Sequence, residues 1–324
     1  MPDATQLHEE SLFVDGLFPQ PIRQDTVNRA REGGIDAVQT TLVAREQDYF
    51  DALESVQDTQ SSIRELYAVS QARSVSDVRE QDDLSVLFGF QNSTPLERRR
   101  EPHANAETFA QLGVKVIQLT YNKQNYSGSG CTESRDTGLT DFGGEVIDAI
   151  EENNIVLDLS HAGDRTAEEA ISVASKPVIF SHSNARSVVD YIRNIPDSLM
   201  EAAVETGGTV GISGFAPMLD EEEFGEHSTI DDFLDQIDYV SDLVGPENVT
   251  IGLDTFGFSE REPDWAFESP HFPNPPNPNV EGLWRVDQAP NVTAGLVERG
   301  FSEEEIRGIL GENLLRVFEA VWGE

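Results

Sequence analysis

Eight short, apolar, β-rich runs recur along this chain, each followed by a stretch suited to a helix, and that alternation restricts the fold more than any other feature. The runs are 12–17 (LFVDGL), 36–42 (DAVQTTL), 84–91 (LSVLFGFQ), 115–121 (KVIQLTY), 155–161 (IVLDLSH), 177–183 (PVIFSHS), 209–215 (TVGISGF) and 249–256 (VTIGLDTF). Segments such as 142–153, 164–174 and 229–244 carry the 3.6-residue apolar period of amphipathic helices. Strands of this kind belong to a parallel sheet buried on both faces. Eight such units in about 300 residues predict an α/β fold closed into a (β/α)8 TIM barrel rather than an open doubly wound sheet. The chain reads as one domain over 1–324. It carries a long Pro/Asn/Trp-rich loop over 257–290 and closing helices over 302–322, where Ser302 and Glu305 have capping-box spacing.

Charge excludes several partners. Lys and Arg number 22 against 60 Asp and Glu, for a formal charge of -38, and only three lysines occur (Lys115, Lys123, Lys176). Such a surface repels nucleic-acid phosphates and anionic lipid, so neither nucleic acid nor membrane is an expected partner. The acidic residues are spread along the whole sequence, as in halophilic proteins. Strong salt screens their repulsion to a Debye length of about 3 Å at 1 M. A single cysteine, Cys131, rules out an internal disulfide. The N-terminus shows no basic-then-apolar leader, and no apolar run reaches the ~18 residues of a membrane span, so the expected location is the cytoplasm.

In barrels of this type the working groups lie at the C-terminal ends of the strands. Here those ends carry Gln91-Asn92, Asp158-Leu159-Ser160-His161, Ser181-His182-Ser183 and Asp254-Thr255. His161 and His182 hold equivalent places on neighbouring strands, where two neutral imidazoles can converge on one divalent ion. Either histidine alone reads as a hydrogen-bonded core residue; the pair together with Asp254 reads as a metal site with a carboxylate to handle a proton. Asp15, on the first strand, reads as a hydrogen-bonding group of the barrel core. Cys131 is expected to be a small buried hydrophobe, with a place in the pocket wall as the alternative. Trp265, Phe267, His271, Phe272 and Trp284 form either a lid over a small substrate or ordinary loop packing.

The run GLTDFGGEVIDAIEENNIVLDLSHAGDRT, then KPVIFSHSNAR, and the closing NVTAGLVERGFSEEEIRGILGENLLRVF resemble the membrane (renal) dipeptidase family. With VDG near the start and IGLDTFG in the last strand, the resemblance spans most of 12–320. It implies a metallo-dependent hydrolase on a (β/α)8 barrel, with His161 and His182 as metal ligands. It further implies Arg186 as the group that binds a substrate carboxylate, Asp254 as the acid/base, and a homodimer. Family members usually carry His-x-Asp after the first strand's Asp-Gly; this chain has Leu17-Phe18-Pro19 there. The glutamate that bridges two metals aligns with Gln91, and the carbonyl-polarising histidine with Tyr121, whose phenol can donate to an oxyanion.

These departures point to one ion rather than two, zinc in type, held by His161, His182 and either Gln91 or Asp254. Tyr121 and Asn122 then face a dipeptide or other small carboxylated amide. The alternative is an inactive, metal-free barrel that binds a small ligand.

Overall fold

The computed structural model describes residues 3–220, 227–255 and 280–323. Among the described residues there are nine strands: β1 (Val14–Phe18), β2 (Ala37–Val43), β3 (Val69–Gln71), β4 (Leu84–Phe90), β5 (Val114–Gln118), β6 (Val156–Asp158), β7 (Val178–Phe180), β8 (Thr209–Ser213) and β9 (Val249–Gly252). Eight of them pair in parallel in the order β1-β2-β4-β5-β6-β7-β8-β9, the ring of an α/β barrel. The ninth, β3, pairs with Leu84–Val86 in the first half of β4, while β5 takes the second half from Phe88 onward. Three residues reading Val-Ser-Gln give too little alternation to be seen in the sequence.

The 3.6-residue periods fold as expected. Helices run over Asp141–Glu152, Asp164–Val173 and Ile230–Val244. Thr140 starts the first of these by accepting a hydrogen bond from the Gly143 N–H. At the C-terminus the Ser302–Glu305 capping box forms as expected. Its helix passes through a π-turn at Gly308–Glu312 into Asn313–Trp322. Leu314, Leu315, Phe318 and Trp322 of this last helix pack with Val14, Ala37, Leu87, Val116, Val156 and Ile179. That cluster fills the end of the barrel where the strands begin and leaves the candidate site residues at the other end.

The ring is stitched shut between β9 and β1 by a side chain as well as by backbone. The Asp254 N–H donates to the Leu17 carbonyl at 3.1 Å. The Asp15 carboxyl accepts from the N–H groups of Leu253 (2.8 Å) and Leu17 (3.1 Å) through one oxygen. Its other oxygen is buried without a partner. Asp15 is therefore the core hydrogen-bonder its position suggested.

Burial pushes the Asp15 carboxyl up to about 8, with the two N–H donors pulling the other way. The unfolded chain would release that proton near pH 4. Between about pH 4 and 8 the folded state thus holds the extra proton, so stability is lost as pH rises through this window. Asp15→Asn is expected to flatten the decline in melting temperature between pH 5 and 8.5; parallel slopes for variant and wild type would refute the assignment.

Candidate active site

The strands β6 and β7 end in the same way, and one buried carboxylate locks the two ends together. Asp158, the last residue of β6, accepts from the N–H (3.0 Å) and hydroxyl (2.6 Å) of Ser160. It also accepts from the N–H (3.1 Å) and hydroxyl (2.5 Å) of Ser181. Burial raises its pKa and these donors lower it. With its hydrogen turned to Asp158, the Ser181 hydroxyl offers its oxygen to His182 Nδ1 at 2.7 Å. His161 Nδ1 meets Asn122 Oδ1 at 2.7 Å.

This network assigns both imidazoles as Nδ1–H tautomers. Burial and the charge of Arg193 also push both pKa values well below the usual histidine range, so each ring is neutral. Their bare Nε2 lone pairs then face one another across 2.9 Å. Two acceptors aimed at each other call for a Lewis acid or an N–H donor beside them.

Arg193 supplies one such donor. Only 4% exposed, it donates to the Ser160 carbonyl, to the His182 carbonyl at 3.3 Å and to His161 Nε2 at 3.3 Å. Tyr121 lies over the His161 ring, with centroids 4.3 Å apart. Burial, with the Asp254 carboxylate adding to it, pushes the Tyr121 phenol up to about 12, so it stays a donor at neutral pH. Asp254 sits just past β9 with a left-handed backbone (φ 49°). Burial raises its carboxyl to about 7, against the opposing pull of Arg193. A group poised there can both take and return a proton near neutrality.

The structure thus brings His161, His182 and Tyr121 together, with Asp254 near enough to act electrostatically on Tyr121 and to feel Arg193, and sorts the other candidates differently. Arg186 forms a fork-to-fork pair with Asp164 at 2.6 and 2.8 Å and donates to the Asn194 carbonyl at 2.8 Å. It lines an outer cleft of about 560 Å³ with Cys131, Asp164, Asp190 and Tyr191. Cys131 is half-buried on that wall, the alternative offered by the sequence. The Gln91 side-chain amide donates to the Thr41 hydroxyl at 2.6 Å. Asn122 contacts His161. Trp284 stacks under the Arg285 guanidinium, and Trp265, Phe267, His271 and Phe272 lie outside the described residues.

Arg193 was missed because spacing was counted along the chain. The segment after His182 doubles back, bridging Ala185 to Ile195, which carries Arg193 beneath the histidines and turns Arg186 outward. The buried Asp158 was visible as DLSH, two residues ahead of Ser160, but its link to Ser181 is a cross-strand contact.

The donor set fits one divalent ion held by His161 Nε2 and His182 Nε2, with non-protein ligands completing the shell. Among the described residues no three His, Cys, Asp or Glu side chains converge as a metal cluster. Leu17, where a histidine ligand would stand, is buried and apolar.

Comparison with known proteins agrees with this geometry. The family model described as membrane dipeptidase (peptidase family M19) matches residues 12–265 and 275–322. "Dipeptidase 3" of Mus musculus is 31% identical over 81% of this chain and 49% of its own length. "Dipeptidase tcpJ" of Claviceps purpurea is 30% identical over 66% and 46%. The chain therefore spans about half the length of these curated relatives. An amidohydrolase from Pseudomonas aeruginosa superimposes with a TM-score of 0.91 at 33% identity over the whole of both chains. A metallo peptidase from Rhodobacter sphaeroides, liganded with a phosphinate mimic of the dipeptide L-Ala-D-Ala, shares the fold at a TM-score of 0.80 and 17% identity, over 97% of this chain and 100% of its own. From the barrel, the histidine pair and a family match that runs through nearly every unit of the ring, the chain belongs to the membrane dipeptidase family, peptidase family M19.

Proposed function

We propose that the protein hydrolyses a dipeptide, or another small amide with a free carboxylate, at a site holding a single divalent ion. The observation that carries this reading is the pair of imidazole Nε2 atoms facing each other at 2.9 Å in a buried setting, with each Nδ1 against an oxygen. Zinc suits two such donors. When bound, the ion supplies Lewis acidity, polarising the amide carbonyl and acidifying water. The names of the mouse relative and of the Pseudomonas amidohydrolase support amide hydrolysis as the reaction class.

The side chains have distinct tasks in this scheme. Arg193 presents the fork donor that binds the substrate carboxylate, because its guanidinium lies against the histidine pair, whereas Arg186 is paired with Asp164 on the outer cleft. Tyr121, protonated at neutral pH, donates to the oxygen that gains charge as the carbonyl is attacked. Asp254 takes a proton from the attacking water and returns it to the departing amine. Gln91 is held by Thr41, and its carbonyl oxygen is the sole donor it can offer an ion.

One observation favours a second reading. The Arg193 guanidinium already gives an N–H to His161 Nε2, so a cation stands at the pair without any metal, and the barrel would then be a ligand binder. Elemental analysis of protein purified in strong salt without chelators separates the two. About one zinc-class ion per chain, lost in His161→Ala/His182→Ala, together with cleavage of dipeptides, is the expected result. No ion bound and none taken up from added zinc, manganese or iron would overturn the hydrolase reading. The same reading places the protein in the cytoplasm as a homodimer. Among the described residues no helix is long and apolar enough to cross a membrane.

A further inference from the structure

The loop after β5 is more elaborate than a connection needs to be. Asn122 holds a left-handed backbone (φ 60°), a conformation that asparagine tolerates better than most residues. Its carbonyl is fixed by the Thr132 N–H at 2.8 Å and by the Thr132 hydroxyl at 2.7 Å. Gly130 lies so close that a Cβ there would stand 2.2 Å from the Asn122 carbonyl carbon, so the loop closes on Asn122 only with glycine at 130. The next residue, Cys131, donates its N–H to the His161 carbonyl at 3.0 Å. Its thiol approaches Asn122 Oδ1 at 3.5 Å. The same oxygen meets His161 Nδ1 at 2.7 Å, while Tyr121 covers the ring face. His161 is held at its backbone, its ring face and its distal nitrogen by one twelve-residue stretch, 121–132.

We propose that Asn122 is a positioning residue: it holds the proton of His161 on Nδ1 and so keeps the Nε2 lone pair turned toward His182. This assigns Asn122 a task behind the histidine rather than contact with substrate. The physical reason is simple. A neutral imidazole has one N–H, and it sits on whichever nitrogen has the better acceptor. Without the Asn122 oxygen, that proton can move to Nε2, where the His182 Nε2 acceptor at 2.9 Å is nearer than the Arg193 donor at 3.3 Å, and there it occupies the lone pair the site requires. His182 has its own acceptor in Ser181, so the effect is confined to one ring.

The inference rests on the proposed metal site for its purpose, but its test reads the tautomer and needs no activity. The measurement is the pair of imidazole 15N shifts of His161 in metal-stripped, 15N-histidine-labelled full-length protein, assigned with a His161→Gln variant. Wild type is expected to show Nδ1 protonated and Nε2 bare. Asn122→Asp, which keeps an acceptor oxygen, should preserve that pattern. Asn122→Leu, similar in size and without an acceptor, should shift His161 toward the Nε2–H form and leave His182 unchanged. Direct titration with zinc should show affinity falling about 10–100-fold in the leucine variant and much less in the aspartate one, the scale of lost outer hydrogen bonds at metal sites. If wild-type His161 carries its proton on Nε2, the proposal fails without any variant having to fold. It fails equally if Asn122→Leu, folded, keeps the wild-type tautomer. Loss of hydrolysis with the tautomers as described would instead count against the proposed function alone.

Discussion

Asp254→Asn is expected to lower kcat/KM about 10²–10⁴-fold, the usual contribution of a positioned acid/base, while leaving KM close to wild type. The substitution suits the backbone, because asparagine accepts the left-handed conformation (φ 49°) found at this position. It removes the only property the scheme asks of the residue, a proton that comes and goes near neutral pH. Burial raises the carboxyl from its ordinary value near 4 to about 7. A base must be ionised to act, so wild-type activity should fall as pH drops through about 7, and the residual activity of the variant should lack that limb.

Folding supplies an internal control. A carboxyl whose folded pKa is raised stabilises the fold below its unfolded pKa of about 4, and that contribution is lost as pH rises through about 7. At pH 8 the asparagine variant should therefore melt no lower than wild type. Unchanged turnover in a folded Asp254→Asn protein would remove Asp254 from the mechanism.

The parts of this molecule that the sequence made legible share one physical property: they depend on local pattern. Eight strands were readable because burial on both faces writes an apolar run of fixed length. His161 and His182 were readable because each stands in a Ser-His pair within three residues of a strand's end. The apolar runs overshot the strands, however. The runs at 155–161 and 177–183 end in loop residues, as do the described residues 253–255 of the last run, since β6, β7 and β9 stop at Asp158, Phe180 and Gly252. Those surplus residues include the candidate site residues His161, His182 and Asp254, released from strand pairing. Contacts between distant segments left no such trace. Nothing in the spelling of Asn122 shows that its oxygen will meet His161, or in Ser181 that it will bond Asp158 across two strands. The choice between the two arginines after His182 turned on a loop reversal that spacing does not encode.

That choice makes the second large prediction. Arg193→Lys should reduce kcat/KM about 10²-fold for a dipeptide with a free C-terminal carboxylate, whereas Arg186→Leu should leave it near wild type. Lysine keeps the charge at 193 but loses the planar fork that matches a carboxylate and that bonds two carbonyls and an imidazole here. Lysine is preferred to leucine as the replacement because the His182 carbonyl would otherwise lose its Arg193 donor, at about 1–3 kcal/mol, and the Ser160 carbonyl would keep only the Ser183 hydroxyl at 3.5 Å. Arg186 is different in kind. Its partner Asp164 is partly exposed, so deleting the pair should alter stability by no more than about 1 kcal/mol. The decisive control is the substrate: against a C-terminally amidated dipeptide the Arg193→Lys defect should shrink sharply, because the group it binds is gone. A defect equal for both substrates would make Arg193 a support for the histidines rather than a carboxylate donor. A large, carboxylate-dependent defect in Arg186→Leu would move substrate recognition outward, into the cleft shared by Arg186, Cys131 and Tyr191.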